Sequence, residues 1–129
     1  MKKILSLLLF VAVSFVGCKE KNQFNYPLET LYGTWQFKQV KFSPSEDYQT
    51  WLLTATYATF YSDGTYTGRG YFGNGKGTYE TKGDDIITYV QGEEYATYTV
   101  LSLTGSRAEL KMSMPGSSRN IWLICEKQN

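Results

Sequence analysis

The sequence contains no histidine. That excludes a Ser-His or Cys-His catalytic couple and every histidine metal site. It has 2 cysteines, Cys18 and Cys125, and 3 prolines in 129 residues. No stretch is long enough to span a bilayer, because the one long apolar run, Ile4–Val16, has 13 residues where about 20 are needed. Neither sign of charge dominates, with 13 Lys and Arg against 12 Asp and Glu. Nucleic-acid binders need a clustered basic face, so none is expected as a partner. No D-x-D-x-D-G calcium loop occurs. Carboxylate pairs stand at Glu46-Asp47, Asp84-Asp85 and Glu93-Glu94. All three fall at turns or a helix start, where solvated charge is the ordinary reading. The chain therefore reads as a non-enzyme without metal or cofactor.

What is present begins at the N-terminus. Met1-Lys2-Lys3, the apolar run and Gly17 before Cys18 have the layout of a secretory signal peptide. Phe15-Val16-Gly17-Cys18 resembles the lipobox of bacterial lipoproteins. That resemblance implies cleavage after residue 17, lipidation of Cys18 and firm anchoring by several acyl chains. Position 19 is Lys and not the Asp that retains such proteins in the inner membrane, which points to an outer membrane as the partner surface. The expected organisation is a signal peptide over 1–17, a lipidated N-terminus and flexible tether over 18–30, and one domain over 31–129. Lipid at Cys18 leaves Cys125 unpaired, in an apolar run that reads as buried.

From residue 31 onward strand signals dominate. The chain has 11 tyrosines, many threonines, and turn dipeptides at short intervals, which argue all-β. Eight strands are expected, over 33–42, 54–62, 65–72, 76–82, 85–91, 94–103, 108–114 and 120–127. Tight turns such as Asp63-Gly64 make sequence neighbours pair antiparallel. An up-and-down meander of this kind removes its edges by closing into a barrel. The one longer connection opens with Ser43-Pro44-Ser45-Glu46, a capping box with proline at the first helical position. It predicts a short helical turn through 47–52. Strand periodicity of 2 puts Phe60, Tyr66, Phe72, Tyr79, Ile86 and Leu110 on inward faces.

Residues 68–77 read GRGYFGNGKG. Gly68, Gly70 and Gly73 complete a G-x-G-x-x-G, and Gly70–Lys76 approaches a P-loop. Both motifs need a helix N-terminus after the glycines. A strand pattern succeeds them instead, and Gly77 stands where Ser or Thr should hold magnesium. A nucleotide site is excluded on those grounds. The glycines either curve a tight barrel or clear space inside it.

Gly33-Thr34-Trp35, Phe60-Tyr61-Ser62-Asp63-Gly64-Thr65-Tyr66 and Gly77-Thr78-Tyr79 occur in that order on the meander. This pattern resembles the lipocalins, and more closely the short lipocalin-like domains of bacterial lipoproteins, over residues 31–127. The resemblance implies a calycin-type barrel whose base is plugged by Trp35, beside Gly33 and beneath the basic Lys127. It also implies a small apolar ligand, a lipid or acyl chain, among the inward residues above. Strand order puts the loops at 43–53, 73–75, 92–93 and 115–118 at the open mouth, with Tyr48, Trp51 and Asn74 as rim or lid candidates. The other reading is a filled barrel whose surface aromatics meet a protein or glycan partner. Interior volume separates the two.

Overall fold

The computed structural model describes residues 23–128. The expected signal peptide and Cys18 lie outside the described residues. A short helix, α1 (Leu28–Leu31), precedes nine strands: β1 (Gly33–Lys41), β2 (Gln49–Thr50), β3 (Tyr57–Phe60), β4 (Thr65–Arg69), β5 (Gly75–Lys82), β6 (Asp85–Val90), β7 (Glu93–Thr104), β8 (Arg107–Ser113) and β9 (Asn120–Lys127). From β3 to β9 each strand pairs with its sequence neighbour, and β1 pairs with both β3 and β9. All pairings are antiparallel, so eight strands close into an up-and-down barrel. The two-residue β2 is an addition outside that count. It extends the edge of β1 that β3 leaves after Gln36.

Alternation explains the core, and three bulges interrupt it. Trp35 and Phe37 face in along β1, but the next buried residue is Val40. The register against β9 shifts between Phe37 and Gln39, so Lys38 is an extra residue that reverses the parity of the rest of the strand. On β7 the inward set Ala96, Tyr98 and Val100 jumps to Leu103 for the same reason. Leu101 is thereby turned outward and left exposed. A third shift, between Thr88 and Tyr89 of β6, leaves Tyr95 of β7 unpaired near the mouth.

Residues 43–52 depart from the helical expectation. Ser43 and Glu46 close a single turn through the Glu46 N–H and the Ser43 carbonyl at 3.2 Å. The Glu46 carboxylate reaches back to the Phe42 N–H at 3.0 Å. That bond meets the N–H one residue before the Ser43 N–H that a capping box would satisfy, and the chain then turns extended. The Trp51 N–H finds the Lys38 carbonyl at 2.9 Å, so pairing with β1 wins over helix. Residues 24–30 differ from a free tether as well. Phe24 and Tyr26 pack against the core, and Leu31 is buried in it. The Asn25 N–H donates to the Gly83 carbonyl at 2.9 Å and its side-chain amide to Asp84 at 2.9 Å. This segment has too few apolar residues to show a period, yet each one finds the base of the barrel.

The fourth strand stops at Arg69 rather than running to Phe72. Gly70 has φ of 120°, a conformation that ends the ladder. Its N–H donates to Asn74 Oδ1 at 3.0 Å, and the Gly73 N–H returns to the Gly70 carbonyl at 2.9 Å. Tyr71 and Phe72 are thus turn residues. Gly77 has a different job. A Cβ there would lie 1.8 Å from the Tyr89 carbonyl oxygen, so β6 crosses directly over it. Glycine at 77 lets the β5 and β6 backbones approach this closely.

Gly77→Ala should lower stability by about 2–3 kcal/mol through overpacking. For a domain of this size that is a melting temperature lower by about 10–20 °C. Gly75→Ala, where a Cβ meets nothing within 4 Å, should leave it within a few degrees. Thermal unfolding followed by circular dichroism checks the pair.

Candidate functional site at the barrel mouth

The base is closed by packing. Trp35 is buried, and its indole N–H donates to the Leu31 carbonyl at 2.8 Å. Its cross-strand partner is Lys127, whose Nζ lies 5.1 Å from the indole ring, a cation–π distance. Gly33 has φ of 131°, and a Cβ there would sit 3.3 Å from the Lys127 side chain. The lysine stem therefore occupies the space that glycine leaves. Gly33, Trp35 and Lys127 act as one unit.

The middle of the barrel is filled. Phe60, Tyr66, Tyr79, Ile86 and Leu110 are buried as their alternation requires. Phe60 stacks edge-on to Tyr79 at 5.1 Å and to Tyr98 at 6.3 Å. The free space that Phe60, Ile86 and Leu110 share with Trp35 is about 10 Å³. A pocket for a drug-sized ligand holds about 300–1,000 Å³, so the interior offers none.

Open space lies at the two ends. At the base a groove of about 170 Å³ runs between α1 and the Asp63-Gly64 turn. Two of its polar side chains, Asp63 and Tyr79, are committed within the protein. Asp63 accepts from the Thr65 N–H at 2.9 Å and the Thr65 hydroxyl at 2.6 Å, which hold its carboxyl below the usual range. The Tyr79 hydroxyl donates to the Tyr61 carbonyl at 2.7 Å.

At the mouth a cleft of about 110 Å³ is walled by Tyr66, Phe72, Val90 and Tyr95, with Gly68 and the 73–75 turn completing it. An apolar cavity of about 150 Å³ takes a benzene, so this cleft suits a smaller group or the end of a larger molecule. Phe72 is fixed from two sides. It packs on Phe37 and Trp51 at 6.2 Å each, and its carbonyl accepts from the Tyr95 hydroxyl at 2.6 Å. Tyr95 reaches it because the β6–β7 bulge frees Tyr95 from pairing. Tyr71 is exposed, yet its ring meets this cluster edge-on, 5.1 Å from Phe72 and 6.1 Å from Trp51.

The phenol of Tyr66 forms the floor. Its oxygen lies 2.7 Å from where a Cβ on Gly68 would be, so the ring fills the space Gly68 clears. Burial pushes Tyr66 up to about 12 and Tyr98 well above its ordinary value. Their mutual interaction lowers Tyr66 and raises Tyr98.

Of the rim candidates, Trp51 and Asn74 are at the mouth. Tyr48 is not, because its hydroxyl donates to Glu109 of β8 at 2.7 Å. Lys41 covers its ring at 4.6 Å. Glu109 points outward between buried Ala108 and Leu110, and its neighbour Ile124 is buried on that outer wall. The first loop thus folds down the outside of the barrel. Tyr95 and Val90 were absent from the sequence-derived site, since Tyr95 enters only through a bulge. Cys125 is fully buried, and burial pushes its thiol up. Among the described residues no three His, Cys, Asp or Glu gather as metal ligands. No helix among them is long and apolar enough to cross a membrane.

A closed antiparallel meander of eight strands with a tryptophan-plugged base is a calycin-type β-barrel, an architecture suited to small ligands. The particular family is the lipocalin-like domain, whose model matches residues 31–110. The chain belongs to that family. The match ends inside β8, and the structure supplies the closing strand β9 beyond it. No curated protein and no solved structure matches the chain.

The raised phenols set an alkaline limit. The unfolded chain loses tyrosine protons near pH 10, whereas Tyr66 and Tyr79 hold theirs to about 12. Above pH 10 the unfolded state binds fewer protons, so stability falls with rising pH. It should be level below pH 9.5 and decline between 10 and 12, with Tyr66→Phe giving a shallower decline. Urea unfolding across that range measures it.

Proposed function

We propose that this chain is a non-enzymatic lipoprotein of the cell envelope. It is anchored in the outer membrane through Cys18, and its lipocalin-like barrel takes a small apolar group at the mouth. The observation that carries the binding reading is the contrast between a filled interior of about 10 Å³ and a walled mouth cleft of about 110 Å³. A lipid or acyl chain does not fit inside the barrel, so only one end of such a ligand enters. The anchoring reading is supported by the basic start, the 13-residue apolar run and the cysteine at 18.

A second reading draws on the rim. Leu52 is 88% exposed and Tyr71 is 56% exposed, with Phe42 and Leu53 also bare. Apolar side chains gathered at one end suit contact with a protein or glycan partner.

Metabolic labelling with an alkyne-tagged fatty acid should mark the wild-type chain in a bacterial envelope and leave Cys18→Ala unmarked. Equal labelling of both would remove the anchor reading. For the cleft, ethylbenzene and acetophenone are titrated onto the full chain in lipid nanodiscs and followed by NMR. The amide signals of Asn74, Val90 and Tyr95 should move with saturation while the Trp35 indole stays. Movement of Trp35 alone, or of nothing with either probe, would overturn it.

A further inference from the structure

The groove at the base differs from the mouth in size and in charge. It holds about 170 Å³ between α1 and the Asp63-Gly64 turn, against about 110 Å³ at the mouth. Leu28 gives it an aliphatic wall, and Tyr32 and Tyr79 bring phenols. Asp63 is the one charged residue in its lining, with no Lys or Arg beside it. The lining of the mouth cleft holds no charged residue.

The hydrogen bonds around the groove leave capacity of one kind. Asp63 holds its turn through a single oxygen, because the Thr65 N–H and the Thr65 hydroxyl both donate to Oδ1. Oδ2 takes no part in those bonds, and the residue is exposed. The Tyr79 hydroxyl has given its proton to the Tyr61 carbonyl at 2.7 Å, so its oxygen is left to accept. A carboxylate oxygen and a phenol oxygen therefore line one groove, and both call for a donor.

We infer that the base groove binds an ammonium group on a small apolar body, with Asp63 Oδ2 and the Tyr79 phenol oxygen as its acceptors. The site is separate from the mouth cleft and does not rest on it. An ammonium brings N–H donors together with the charge that Asp63 attracts, and charge-assisted bonds are the stronger kind. An alcohol of the same shape brings a donor without the charge. A carboxylate meets Asp63 as a like charge with no cation in the lining to offset it. A cavity of about 150 Å³ takes a benzene, so a ring-sized body fits beside Leu28. The docked segment 24–31 enters at this pole, with the Asn25 N–H on the Gly83 carbonyl and Leu31 in the core. A lipid headgroup amine and a soluble amine share the required chemistry.

Benzylamine, benzyl alcohol and benzoate share a body and differ in charge. Each is titrated at neutral pH onto the full chain in nonionic detergent, which carries no ammonium, and read by NMR from the Gly64 and Thr81 amides. Benzylamine should bind at least about fivefold more tightly than benzyl alcohol, the scale of an exposed charge pair of about 1 kcal/mol. Benzoate should be the weakest. Added sodium chloride should weaken benzylamine and leave benzyl alcohol unchanged. Asp63→Asn keeps a side-chain oxygen for the Thr65 bonds and removes the charge. It should bring benzylamine to within about twofold of benzyl alcohol, with an unmoved Thr65 amide reporting an intact turn. Equal binding of the two by the wild type, or shifts at Asn74 and Val90 in place of Gly64 and Thr81, would overturn the site. A preference that survives Asp63→Asn would overturn the role of Asp63. Phosphatidylethanolamine is then compared with phosphatidylglycerol in the same micelles. Shifts at Gly64 and Thr81 with displacement of benzylamine by the first lipid alone identify a headgroup as the amine, and neither effect identifies a soluble one.

Discussion

The structure depends on one junction, the pairing of β1 with β9. Without it the meander would be an open sheet with two bare edges. The junction is reinforced at its base, where Trp35 lies opposite Lys127 and both lean on the gap left by Gly33. A further hydrogen bond extends it past the last strand, from the Gln128 N–H to the Thr34 carbonyl at 2.7 Å, while on the other side of β9 the Lys127 N–H meets the Ser106 carbonyl at 2.8 Å. Helix α1 then seals the end, with Leu31 buried and its carbonyl taken by the Trp35 indole. Closure at a radius this small leaves an interior only wide enough for side chains. Phe60, Tyr79, Tyr98 and Ile86 fill it.

A filled barrel leaves its open space at the two ends. At the mouth the bulge at Tyr95 and the turn at Gly70–Gly73 break the regular ladder. Each break has a local cause. Gly70 leaves the sheet at positive φ, Phe72 is swung inward onto Phe37 and Trp51, and Tyr95 is released to hold the Phe72 carbonyl. The cleft is the space between these irregularities. Its floor is the phenol of Tyr66, a residue buried in the core.

The placement of the first loop has a functional consequence. Tyr48 is bound to Glu109 on the outer wall, which draws the middle of the loop away from the mouth. The loop's end returns with Trp51, pinned through its backbone to Lys38 and through its indole N–H to the Thr54 carbonyl at 2.9 Å. The mouth is thus flanked by the loop rather than covered by it, and the cleft stays open to solvent. The docked segment 24–31 occupies the opposite end. The N-terminal approach and the open mouth therefore lie at opposite poles of the barrel.

Much of this was legible in the residues. Alternation with period 2, tight turns such as Asp63-Gly64 and the G-x-W opening were enough for an eight-stranded antiparallel meander, its closure, and the burial of Phe60, Tyr66, Tyr79, Ile86 and Leu110. Those signals are local, and local signals survive in sequence because each residue's face is set by its neighbours. The capping box at Ser43–Glu46 misled for a matching reason. Its own hydrogen bonds favour a helix, and only the distant edge of β1 offers the better alternative. The bulges, the crossing of Tyr89 over Gly77 and the arrival of Tyr95 beneath Phe72 belong to tertiary structure alone. They arise from bending a sheet until its ends meet, a constraint no single segment contains. The sequence by itself determined what kind of barrel forms and which faces turn inward. The closed structure decided that the interior is full and that the remaining space lies at the two ends, because free volume is set by how side chains from eight strands interlock.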